Sequence, residues 1–187
     1  MDPTTAIRTD TLPAVATLLV PGAVASGAYI WWGLLSVPDV ATYLAARDVL
    51  TTVLLVLLWI TVGFIIESVG SYVEVHLIDG RHNDRAKMLK TWWEYLRLVW
   101  TNEPVGQRYL RRLLVSFKFE LNMFTASVFA IPGVLLLGYG DHVANRTFYG
   151  LLFGLVVAAV IFLIFAKDTS GVLAKVRKEL TKGVIKR

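Results

Sequence analysis

The stretch VLTTVLLVLLWITVGFII, residues 49–66, contains no charged side chain. As a helix it would be about 27 Å long, close to the roughly 30 Å hydrocarbon thickness of a bilayer. Three other stretches of the 187-residue chain have the same character, and together they predict spans at about 14–36, 49–72, 116–139 and 147–166. None alternates with period two, and backbone in lipid has to satisfy its own hydrogen bonds, so each is expected to be a helix. With 56% hydrophobic residues and a mean hydropathy of +0.59, the composition lies outside that of soluble domains. The expected fold class is an all-α integral membrane protein: a four-transmembrane-helix bundle, one membrane domain over residues 1–187, with an amphipathic cytoplasmic helix between spans two and three.

The net charge of +5 is distributed unevenly. Eight of the nineteen basic residues lie between spans two and three, Lys118 just inside the start of span three, and seven at or after the end of span four; only Arg8, Arg47 and Arg146 fall elsewhere. Short cytoplasmic loops carry such an excess, which places the segment 79–112, the basic tail 167–187 and both termini in the cytoplasm. Topology thus accounts for the basic character, and nucleic acid is not an expected partner. The expected setting is a prokaryotic cytoplasmic membrane. The stretch LPAVATLLVPGAVAS, residues 12–26, resembles a signal-peptide core, but Asp2 and Asp10 dilute its basic flank and apolar sequence continues beyond it. It reads as a retained first span.

The run ESVGSYVE, residues 67–74, follows the uncharged stretch directly. On a helix Gly63, Glu67, Gly70, Ser71 and Glu74 share one small, polar face, which must look toward protein or water rather than lipid. Span three brings Lys118, Glu120 and Asn122 to similar depth. Lys118 is a counter-ion for either acid of span two, and Asn122 a hydrogen-bonding group at the same level. Glu120 points about 200° away from Lys118 around the helix and calls for another partner, such as Arg111 or Arg112 of an adjoining subunit. The set reads either as a structural layer of ion pairs or as an acid-lined vestibule of a pore.

Helix packing is expected at Gly22 and Ser26 in span one, Gly63 and Gly70 in span two, and Gly150, Gly154 and Ala158 in span four. The last three suit packing within the chain or between copies equally, and a homo-oligomer is expected. Pro21 and Pro132 are expected to kink their helices, which is tolerated when neighbours re-satisfy the freed carbonyls.

Within the cytoplasmic segment, residues at about 86–102 have helical amphipathicity. Trp92, Trp93 and Trp100 are expected at a membrane interface, and Arg81, Arg85, Lys87, Lys90 and Arg97 are expected to meet lipid or a soluble partner. His76, Asp79 and His82 are weak metal candidates whose spacing fits no metal motif. The absence of cysteine excludes thiolate catalysis and Cys-based metal sites, and no phosphate loop, nucleophile elbow or selectivity filter occurs. No metal, cofactor or catalytic residue is assigned.

The function expected is that of a non-enzymatic, oligomeric membrane effector or docking subunit whose basic cytoplasmic face binds a soluble partner. Membrane components of stress and phage-defence systems are built with this economy. A small cation-conducting homo-oligomer with Glu67 and Glu74 lining its inner vestibule is the alternative, and a membrane enzyme the third reading.

Overall fold

The computed structural model describes residues 3–78, 93, 105–139 and 143–185, with side chains over 15–76, 93, 109–139 and 143–180. All regular structure among them is helical. In chain order the helices are α1 (Pro3–Ser36), α2 (Pro38–Ala45), α3 (Asp48–Val73), α4 (Val105–Tyr139) and α5 (Asn145–Ile185); α3 continues into a π-helical turn, Glu74–Ile78. Four helices are long and apolar enough to cross a membrane, over Val15–Ser36, Asp48–His76, Tyr109–Tyr139 and Asn145–Leu180.

The connection between α1 and α3 is more ordered than a helix break at Pro38 implies. Pro38 takes the first turn of α2, where its fixed φ suits a helix and its missing N–H would have lacked a partner anyway. Asp39 places a negative charge at the same end, favourable to the helix dipole. The Thr51 hydroxyl donates to the carbonyl of Leu44 at 2.7 Å, tying the start of α3 to α2.

α4 lies at the centre. α1 and α5 pack along it, α3 packs chiefly on α1 and less extensively on α4, and α5 packs on α4 alone to any extent. Of the apolar window of α4, 56% is buried, against 6% for α5, so α5 turns nearly all of its apolar surface outward. α4 and α5 are antiparallel. Phe148 reaches Gly138 near one end, Phe119 meets Phe162 edge-on in the middle, and Ala166 packs on Phe117 and Leu121 toward the other.

α1 and α3 cross backbone against backbone. A methyl group at Gly22 would collide with the carbonyl of Trp59, and one at Gly63 with the carbonyl of Leu18. This contact exists because neither helix carries a side chain there. Beside it Ala25, Ile66 and Ala126 form a small core joining α1, α3 and α4, with Val24 and Val62 against them.

Candidate functional site

Polar side chains gather where α1, α3 and α4 meet, at the end of the molecule away from α2. Pro21 explains the first contact. It has no N–H, so the carbonyl of Thr17, four residues earlier, loses its helical donor. Asn122 of α4 supplies one: its Nδ2 donates to the Thr17 oxygen at 3.2 Å. Asn122 is 1% exposed, and its Oδ1 is buried without a hydrogen-bond partner. A Cβ at position 70 would lie 2.8 Å from that Oδ1, so Gly70 makes the space in which the asparagine sits.

The second proline is treated in the same way by the opposite helix. Pro132 removes the amide that would have bonded Val128, and Tyr29 of α1 donates its hydroxyl to the neighbouring carbonyl, of Phe129, at 2.9 Å. Each of these two helices therefore receives a side-chain donor from the other, near its own proline.

One turn along α4 from Asn122, Lys118 donates to the Ser71 hydroxyl at 3.1 Å and lies 3.5 Å from Glu74 Oε2. Lys118 and Glu74 are about one-third exposed, 33% and 28%, so water screens the pair. Glu67 is half-buried on the same side of α3, and among the described residues it has neither a hydrogen bond nor an ion pair. Of the two acids considered for Lys118, it is Glu74 that meets it.

Glu120 faces the other side of α4, toward Thr169 and Asp168 of α5. These are polar groups of the same chain. Glu120 Oε2 remains buried without a hydrogen bond.

The remaining candidates fall outside this junction. Ser26 is buried and donates to the Gly22 carbonyl at 2.8 Å. Gly150 and Gly154 are exposed, with no described atom within 4 Å of where a Cβ would stand, and Ala158 is half-buried, so among the described residues nothing packs on the two glycines. His76 stacks on Tyr72 with ring centroids 3.9 Å apart, its Nδ1 2.9 Å from the Tyr72 carbonyl. No group of three metal-ligating side chains occurs among the described residues. Trp93 is helical and 62% exposed. Trp92, Trp100, Arg81, Arg85, Lys87, Lys90, Arg97, Asp79 and His82 lie outside the described residues, as does the rest of the amphipathic segment 86–102.

Sequence reasoning did not name Thr17, Tyr29 or Thr169. For Thr17 the signal was present, because a proline at 21 identifies the carbonyl at 17 as the one needing a donor. For Tyr29 and Thr169 there was none, since each depends on how two helices are rotated against each other.

The arrangement holds a polar layer at one end of an otherwise apolar set of helices. Comparison with protein-family models, with curated proteins and with solved structures gave no match. What fold and site define is therefore a class: an all-helical protein with four helices long and apolar enough to span a membrane.

Proposed function

We propose that this chain is a four-span membrane protein with both termini in the cytoplasm, acting as a non-enzymatic, oligomeric docking or effector subunit. Its basic cytoplasmic face, from Asp79 to Arg112 together with the tail, binds a soluble partner. The observation that carries this reading is the length of the α4–α5 pair. As helices of 35 and 41 residues they extend about 52 and 61 Å, against a hydrocarbon core of about 30 Å. Beyond the apolar runs, which end near Lys118 and Lys167, the two helices stay packed, with Leu110, Leu173 and Arg177 buried. Such a pair would carry exposed Arg112 and Lys175 away from the membrane on a stiff support.

Outward-facing Leu57, Phe153 and Ile164, each more than half exposed, suit lipid or a neighbouring copy, and open Gly150 and Gly154 suit the close approach of a second helix. Photo-crosslinkers placed at Arg85 and at Lys175 in native membranes test the reading. One soluble protein should be captured reproducibly, and charge reversal at Arg81, Arg85 and Lys87 should abolish its capture while the oligomer stays intact. No capture from either position counts against docking.

A cation-conducting oligomer is the second reading, supported by the carboxylate of Glu67, half-buried and without an ion pair among the described residues. Cation flux in proteoliposomes that changes with Glu67→Gln, in a variant that assembles like wild type, would favour it.

A further inference from the structure

Resting on the docking reading, we infer that the exposed face of α5 from Lys167 onward, past its uncharged run, binds an acidic helix of the soluble partner. Lys167, Gly171, Ala174, Lys175 and Lys178 follow one another at spacings of four, three, one and three residues, so they form one stripe along the helix. All five are exposed, while Ala166, Leu173 and Arg177, on the side of α5 toward α4, are buried. Gly171 has nothing within 4 Å of where its Cβ would stand. The stripe is thus three lysines around a floor of one glycine and one alanine, low enough for a second helix to lie close. Asp168 and Glu179 border it on one side and narrow the strip that favours an acidic ligand.

Geometry separates a protein partner from anionic lipid. A helix lying on a bilayer holds its basic residues at one depth. Here α5 is a single uninterrupted helix from Asn145 to Ile185, so the stripe runs off in the direction of the span. Lys178 lies about 16 Å along the axis from Lys167, beyond the roughly 8 Å Debye length at physiological salt. Headgroup charge therefore acts more weakly on the last lysine than on the first. An acidic helix running beside α5 meets all three.

The test uses the full chain in phosphatidylcholine nanodiscs. The probe is a fluorescent helical peptide with glutamates along one face, and a proline-interrupted peptide of equal charge serves as control. Fluorescence anisotropy should show that the helical peptide binds. Joint reversal of Lys167, Lys175 and Lys178 to Glu should weaken it about tenfold or more. Gly171→Phe, which changes no charge, should weaken it severalfold by blocking close approach. Adding phosphatidylserine to the discs should leave the affinity within about threefold, because the lipid field weakens along the stripe.

Equal binding of the two peptides overturns helix recognition, and strong competition by phosphatidylserine overturns the protein partner in favour of lipid. If reversal at Arg81, Arg85 and Lys87 removes binding while the α5 variants bind as wild type, the docking reading stands and this site for it falls. If wild type binds neither peptide, this site falls, and the crosslinking result decides the docking reading separately.

Discussion

Asn122 of α4 donates to the carbonyl of Thr17 in α1, the carbonyl that Pro21 leaves without an amide partner. One side chain thus closes a gap opened by a proline on another helix, and it fits because position 70 of the third helix is glycine. Three helices are locked at one point by a proline, an asparagine and a glycine, none of which is favourable in a helix taken alone.

This junction predicts a coupled pair. Asn122→Ala should destabilise the protein by about 1–2 kcal/mol, the range for losing a buried hydrogen bond and baring its acceptor. In a Pro21→Ala background the new amide can bond Thr17, so the same substitution should cost less, with a coupling of about 1 kcal/mol. Equilibrium unfolding of the four variants in mixed detergent measures it, and equal costs in both backgrounds would refute the account.

Gly70→Ala should disturb the same junction, because its methyl group would press on the Asn122 oxygen from 2.8 Å. Overpacking of this kind costs about 1–3 kcal/mol. The penalty should shrink when Asn122 is replaced by Ser, which withdraws the obstructing oxygen. A penalty unchanged in that background would place the strain elsewhere.

Gly63→Ala should be among the most damaging small changes, since the backbone of α1 stands where the new methyl group would go. Gly150→Ala and Gly154→Ala meet open space within one chain and should leave its unfolding within about 0.5 kcal/mol. If those glycines pack against a second copy, the substitutions will change oligomeric mass by crosslinking without changing monomer unfolding. Loss of monomer stability at Gly150 would contradict the arrangement of α5.

Removing the Glu74 carboxylate, in Glu74→Gln, should cost no more than about 1 kcal/mol, because its pair with Lys118 is part-exposed and screened. Glu67→Gln breaks no hydrogen bond or ion pair among the described residues and should cost less. A Glu67 effect larger than that at Glu74, in unfolding alone, would show that Lys118 exchanges between the two acids.

Much of this architecture is legible along the chain, because its signals are local. A run such as Val49–Ile66 has no stable alternative to a long apolar helix, and a proline marks which carbonyl needs help without any knowledge of neighbours. Helical spacing likewise placed Glu67, Ser71 and Glu74 on a common side of α3, where the structure leaves all three half-buried.

Pairing between helices was decided only by the tertiary structure. Periodicity tells which residues of one helix share a face, but not which helix that face meets, nor at what height. Lys118 meets Glu74 and not Glu67, Glu120 faces Thr169 of its own chain, and Asn122 meets the backbone of α1 at Thr17. Each outcome turns on axial register and rotation, where a shift of one residue, about 1.5 Å and 100°, exchanges one partner for another. The central place of α4 and the outward turn of α5 are likewise properties of packing: apolar surface on a long helix suits lipid and protein alike, so composition could not say which helix would be enclosed.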